Sequence, residues 1–186
     1  MTRLAILEYP DSRLRIKARP VSSFDDTLKR LIADMFETLY AGRAIGLAAS
    51  QVDVHLRVIT IDVSAEANSP QVFINPAILS RGNIGLVEES CLSVPGVLDN
   101  VKRATQLRVR AQDTAGSLYE RDLEGVPAVC LQHEMDHLDG RLFVDRLSLL
   151  KRLRIRGRFD RIRRSAATEQ RSPDSRGAAP RVSRSL

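Results

Sequence analysis

The chain has little of what a secreted or membrane-bound protein needs. Only two of its 186 residues are cysteine, Cys91 and Cys130. Two are too few to staple a disulfide scaffold of this size, so a metal-ligating or core role is expected for them. The N-terminus runs from Met1 through Leu4 and Ala5 into Tyr9-Pro10-Asp11 without an apolar signal core. No stretch approaches the roughly 20 apolar residues of a membrane span. There is no internal repeat. These absences predict a soluble, cytoplasmic protein with no membrane partner, and the 43% hydrophobic content suits one packed core.

Charge is unevenly placed. From Lys151 onward the chain carries twelve Lys or Arg against three acids, Asp160, Glu169 and Asp174, although the net charge of the whole is only +6. Residues 1–150 are therefore slightly acidic, and the basic character belongs to the C-terminal segment.

The hydrophobic pattern changes along the chain. Residues 25–40 place Leu28, Leu31, Ile32, Met35, Phe36 and Leu39 at helical spacing, with Ser23 near the start as a candidate cap. Between 56 and 122 short β-branched runs at 58–63, 72–74 and 107–111 are broken by Asn75-Pro76, Gly82-Asn83 and Pro95-Gly96, which reads as antiparallel strands. Helix returns near Pro127, a residue tolerated in a first turn, and runs to about Leu138, where Asp139-Gly140 supplies a stop. The segment 149–164 mixes Leu149, Leu150, Leu153, Ile155, Phe159 and Ile162 with eight Lys or Arg, interrupted by Gly157. Past Ser165 the composition is Ser, Ala, Arg, Pro and Gly without an aromatic residue, and disorder is expected.

The expected fold is α+β: antiparallel sheets packed around a central metal-binding helix, with an N-terminal amphipathic helix and a basic C-terminal extension. The expected organisation is a catalytic domain over 1–148, a basic helix over 149–164 and a disordered tail over 165–186.

Two of the three histidines fall in His133-Glu134-Met135-Asp136-His137. Positions four apart share a helix face, so both imidazoles can reach one ion, with Glu134 beside it rather than on it. That is the arrangement of a hydrolase whose carboxylate deprotonates water activated by a Zn(II)- or Fe(II)-type ion.

A catalytic ion of this kind takes a third protein ligand. The extended motif with a further histidine six residues on fails, because that position is Phe143. Glu169 lies in the tail. Cys130 precedes His137 by seven residues, about 10 Å of helical rise, which suits a buried core thiol better than a shared ion. Cys91 and His55 remain as upstream donors. Cys91, in the turn-bounded stretch Glu88 to Gly96, is the stronger candidate, and His55 reads as a surface residue.

With these stretches in view, the chain resembles the peptide deformylases over residues 1–150. The family's G-x-G-L-A-A-x-Q stands here as Ala44-Ile45-Gly46-Leu47-Ala48-Ala49-Ser50-Gln51, its E-G-C-L-S as Glu89-Ser90-Cys91-Leu92-Ser93, and its Q-H-E-x-D-H as Gln132-His133-Glu134-Met135-Asp136-His137. Tyr9-Pro10-Asp11 and Phe73-Ile74-Asn75-Pro76 are weaker echoes.

The resemblance implies metal-dependent removal of the formyl group from formyl-methionyl nascent polypeptides, with release of formate. It implies that Cys91, His133 and His137 hold one divalent ion, Fe(II) first, with Zn(II), Ni(II) or Co(II) as substitutes. Glu134 would be the proton carrier. The oxyanion would be held by the ion, the Gln51 amide and the Leu92 backbone N–H. Gly46 would let the substrate backbone approach, since a Cβ there would intrude. It also implies that the basic C-terminal helix docks on the ribosome, where clustered Lys and Arg meet phosphate; no DNA partner is expected.

Two departures stand out. Ala44 and Ser90 replace glycines of the family pattern, and if φ > 0 were needed at Ser90 the loop presenting Cys91 would carry about 1–3 kcal/mol of strain. A metallopeptidase of similar geometry is disfavoured by the missing downstream ligand. A non-catalytic binding module is disfavoured because it has no use for Glu134.

Overall fold

The structure, a computed structural model, describes residues 2–171, with side chains to 165. The order of elements is α1 (Asp26–Ala41), β1 (Gly46–Ala48), β2 (Val58–Ile61), β3 (Gln71–Cys91), β4 (Val94–Gln112), β5 (Leu118–Glu124), α2 (Val126–Leu138) and α3 (Leu149–Arg171), with short 3-10 turns at Ser12–Arg15, Ala49–Val52 and Phe143–Arg146. The fold is α+β. The strands form one five-stranded sheet rather than separate sheets, in the order β1-β2-β3-β4-β5 with every pair antiparallel.

α1 lays Leu28, Ile32, Met35 and Leu39 against Leu47, Val58 and Ile74. Its cap is Asp25, whose carboxylate accepts from the Leu28 N–H at 3.0 Å. Ser23 does not cap; it donates to Asp25 at 3.1 Å and steadies it.

The turn signals inside the β region do not end strands. β3 continues through Asn75-Pro76 and Gly82-Asn83, and β4 through Pro95-Gly96. Asn75, Asn83 and Gly96 take positive φ within the ladder; register shifts at Ile74/Ala77 and Ser90/Cys91 accompany Asn75 and Gly96, while the pairing runs in register past Asn83. Asparagine and glycine tolerate that backbone, so what reads locally as a break is carried within the strand, with or without a bulge, once the partner strand supplies the pairing. Asn75 is tied further by bonds between its amide and the Val21 N and O, at 2.8 and 2.9 Å.

α2 is buried almost all round, including Gln132, His133, Glu134, Asp136 and His137. It has no solvent face, which is why its sequence shows no clean apolar stripe. Leu131 and Leu138 join Ile59, Phe73, Leu107 and Val109 in the core between helix and sheet. Gln132 fixes the register of helix on strand: its side chain accepts from the Ala104 N–H at 3.1 Å and donates to the Ala104 carbonyl at 2.7 Å. Gly140, at φ +70°, ends the segment where a Cβ would strike the Arg15 carbonyl.

α3 runs unbroken through Gly157. It packs Phe159 edge-on against Tyr9, with ring centroids 5.2 Å apart, and ties Lys151 to Asp99 at 2.7 Å and Arg158 to the Gly96 carbonyl at 2.7 Å. The helix expected to end at 164 continues to Arg171, so residues 165–171 of the expected disordered tail are helical, and the remainder of that tail lies outside the described residues. No described helix is long and apolar enough to cross a membrane.

Candidate metal centre

The site forms where an i, i+2 pair on a strand meets an i, i+4 pair on a helix. Glu89 and Cys91 are two apart at the end of β3 and so point to one face, while Ser90 between them is exposed. His133 and His137 are stacked on α2, which packs against that face. Cys91 Sγ lies 3.2 Å from His137 Nε2, and His137 Nε2 lies 3.3 Å from His133 Nε2. Among the described residues these three are the only His, Cys, Asp or Glu group that converges in this way, with all ligand atoms within 4.8 Å of one another. His55 is not part of it; its Nε2 faces Asp53 at 3.5 Å.

Glu89 decides how His133 is presented. Its Oε2 lies 2.7 Å from His133 Nδ1, leaving Nε2 turned toward the cluster. Arg103, with only 1% of its side chain exposed, donates to both oxygens of Glu89, at 2.6 and 2.9 Å, and to Asp136 at 2.6 Å. Burial alone would raise both carboxyls, but Arg103 and His133 hold Glu89 below its usual range, and Arg146 and Arg103 do the same for Asp136. The two imidazoles are driven apart. Burial pushes His137 down, whereas His133, despite burial, is held up by Cys91 and Glu89 on either side.

Glu134 is also buried, and its carboxyl is pushed up to about 7 by burial. Its Oε2 has no hydrogen-bond partner among the described residues. Gly46 explains how it fits. A Cβ on Gly46 would lie 2.6 Å from Glu134 Oε1 and 2.5 Å from Cys130 Sγ, so within the chain itself the close approach that requires glycine is to these two side chains of α2. Cys130 is a core thiol, raised by burial and donating weakly to the Ile45 carbonyl at 3.7 Å.

Gln51 is anchored through Oε1, which accepts from the Ala48 N–H at 2.8 Å. Its Nε2 donates to Ser93 Oγ at 3.2 Å and lies 3.7 Å from Cys91 Sγ. Leu92 occupies the turn between β3 and β4, directly after Cys91, and its side chain covers Gly42.

The strain foreseen at Ser90 is absent. Neither Ser90 nor Ala44 has positive φ; Ser90 pairs with Leu98 in the ladder and points outward. Sequence reasoning also passed over Arg103 and Arg146, and quoted Glu89 and Asp136 without a role. The i, i+2 spacing of Glu89 and Cys91 was a usable signal for the first acid. Arg103 had none, because a lone arginine in a polar strand carries no mark of burial.

The residues fit a metal ion: a sulfur and two imidazole nitrogens converge, and an unpartnered carboxylate oxygen is buried close by. The chain is similar to known proteins over most of its length. The family model for polypeptide deformylase matches residues 3–153. Peptide deformylase of Hahella chejuensis is 52% identical over 162 residues, covering 87% of this chain and 96% of that protein. Peptide deformylase 1 of Burkholderia multivorans is 52% identical over 166 residues, covering 89% and 92%. A crystal structure of a peptide deformylase from Legionella pneumophila superposes with a TM-score of 0.83 at 46% identity, covering 93% of this chain and 100% of that one. The Ehrlichia chaffeensis peptide deformylase, solved in complex with actinonin, gives 0.80 at 35% identity, covering 92% and 100%.

Proposed function

The chain belongs to the polypeptide deformylase family and is a hydrolase that removes the N-terminal formyl group from nascent peptides; on that premise we propose that Cys91, His133 and His137 hold one divalent ion and that Glu134, Gln51 and Leu92 act on the formyl group beside it. The family is one of metalloenzymes. One observation carries the assignment, the convergence of Cys91 Sγ, His133 Nε2 and His137 Nε2 within 4.8 Å.

Thiolate with two imidazoles suits divalent first-row ions as a class; Fe(II) is taken as the resident ion because the family resemblance implies it, with Zn(II), Ni(II) or Co(II) as replacements. An ion held there by Cys91, His133 and His137 would supply Lewis acidity, lowering the pKa of water and polarising the formyl carbonyl. Glu134 takes the proton of the attacking water and returns it to the leaving amine. A carboxyl raised to about 7 suits both steps near neutral pH, because it accepts and releases a proton at similar cost. Gln51, held by its oxygen and by Ser93, keeps its amide nitrogen directed toward Cys91, and in this reading an N–H of that amide and the Leu92 N–H face the oxygen where negative charge develops. Gly46 keeps the space in which the Glu134 carboxylate sits and leaves room for the substrate backbone to approach.

The same reading divides the chain into a catalytic unit over 1–148 and a basic extension from 149, which docks on the ribosome through phosphate contacts in the cytoplasm. Exposed Leu149, Leu150 and Leu153 alternate there with Lys and Arg. Cosedimentation with ribosomes at low and moderate salt, comparing the full chain with one ending at Leu150, tests it; equal pelleting would overturn it.

The chemistry is tested by formate release from a formyl-methionyl peptide using protein loaded anaerobically with Fe(II), beside Glu134→Gln. The variant should keep the ion and lose turnover by about 10²- to 10⁴-fold. Undiminished turnover would remove Glu134 from the reaction.

A further inference from the structure

An ion chain leads from the protein surface to the candidate ligand His133. Arg146 donates from Nε to Asp136 Oδ2 at 2.8 Å and from Nη2 to Asp136 Oδ1 at 2.7 Å. Asp136 Oδ2 also accepts from Arg103 Nη1, whose remaining fork holds Glu89, which holds His133 Nδ1. Arg146 is the one outward-facing member, with 41% of its side chain exposed against 10% for Asp136, 5% for Glu89 and 1% for Arg103. It is the last residue of the Phe143–Arg146 turn, and Phe143 of the same turn stacks on the His133 ring at 5.9 Å between centroids. We infer that Arg146 is a positioning residue for the metal centre, acting through Asp136, Arg103 and Glu89 to fix His133 and so to set how tightly the ion is held.

The reason is a matter of counting charges and donors. Arg103 alone would face two buried carboxylates with one guanidinium, leaving a negative charge uncompensated in the core. Arg146 makes the set two against two. It also satisfies both oxygens of Asp136, so the fork of Arg103 stays committed to Glu89. Without it, Asp136 competes for that fork, Glu89 is released from its bidentate bond, and the His133 ring loses its fixed orientation. A lysine carries the charge but cannot reproduce the planar pair of bonds.

The inference rests on the ligand set proposed above, and the test separates the two. Full-length protein is loaded with Co(II), its thiolate-to-cobalt absorption recorded, and the ion titrated away with a chelator. Cys91→Ser marks the spectrum without sulfur. Arg146→Ala is expected to weaken Co(II) binding about tenfold while keeping the sulfur band, Arg146→Lys to show most of that loss, and Arg156→Ala, on the exposed face of α3, none. In an Asp136→Asn background the Arg146→Ala loss should disappear. Should Arg146→Ala not fold, Arg146→Lys decides. Co(II) held within twofold of wild type by the Arg146 variants, or a loss undiminished in the Asp136→Asn background, overturns the inference. A wild-type spectrum lacking the sulfur band overturns the ligand set itself, and the inference with it.

Discussion

Glu89 Oε2 lies 2.7 Å from His133 Nδ1, so the strand that ends in Cys91 also orients the histidine on the facing helix. Two of the three candidate ligands therefore depend on the same turn of β3, and the third shares a helix face with the second. The centre is built by one strand end and one helix, and its rigidity comes from the ion pairs behind them.

Removing Glu89 should damage both affinity and stability. Glu89→Ala leaves Arg103 buried with Asp136 as its only carboxylate within reach and frees the His133 ring. Metal affinity is expected to fall about 10- to 100-fold, with a stability loss of about 3–5 kcal/mol from the broken buried pair. Chelator competition and urea unfolding of the variant measure the two, and affinity equal to wild type would show that His133 needs no outer partner.

Gly46 makes a steric claim that a methyl group can probe. Gly46→Ala should displace the Glu134 carboxylate, reducing turnover while costing about 1–3 kcal/mol from overpacking. Adding Cys130→Ala opens space on the sulfur side and should restore part of the stability but little of the turnover, since Glu134 Oε1 remains in the way. Turnover by Gly46→Ala equal to wild type would refute this placement of Glu134.

Ser90 is expected to be indifferent to its family role. Because it sits extended and exposed in the β3–β4 ladder, Ser90→Gly should lower stability by about 0.5–1 kcal/mol through added unfolded-state entropy and leave metal affinity unchanged. A gain in thermal stability would instead reveal strain at that position.

The Arg15–Asp145 pair has a signed dependence on pH. Burial would raise the Asp145 carboxyl, but the Arg15 bond and the Leu142 N–H, donating at 2.9 Å, hold it below its usual range. A depressed folded-state pKa contributes stability above the unfolded value, about 3.9, and that contribution is lost as pH falls through the folded one. Asp145→Asn should therefore be less stable than wild type at pH 7, and the gap should close as the medium is taken below pH 4. Urea midpoints at both conditions report it; a gap that widens in acid would reverse the assignment.

How much could be read in advance varied from one element to the next. α1 was plain because Leu28, Ile32, Met35 and Leu39 repeat at helical spacing, although its cap was misplaced by two residues: Ser23 and Asp25 are equally good capping residues, and only the direction of the Leu28 N–H separates them. β2, β3 and β4 were found but β3 and β4 were cut short at Asn75, Asn83 and Gly96, since a residue that tolerates positive φ looks the same in a turn and within a strand, and the short β1 and the polar β5 had no β-branched run to mark them. His133, Glu134 and His137 were legible because helical periodicity is a local property, and Cys91 came from the resemblance and from elimination.

What the sequence determined by itself was therefore the local order: which residues lie on one helix face, which alternate on a strand, where charge accumulates, and which motifs stand in register with a known family. Tertiary structure alone decided that Glu89 meets His133, that Arg103 and Arg146 share Asp136, and that Gly46 makes room for Glu134 and Cys130. Those relationships join residues from 10 to 88 positions apart, brought together by packing α2 on the sheet, and no periodicity of the chain encodes a contact between elements whose spacing is set by how they dock.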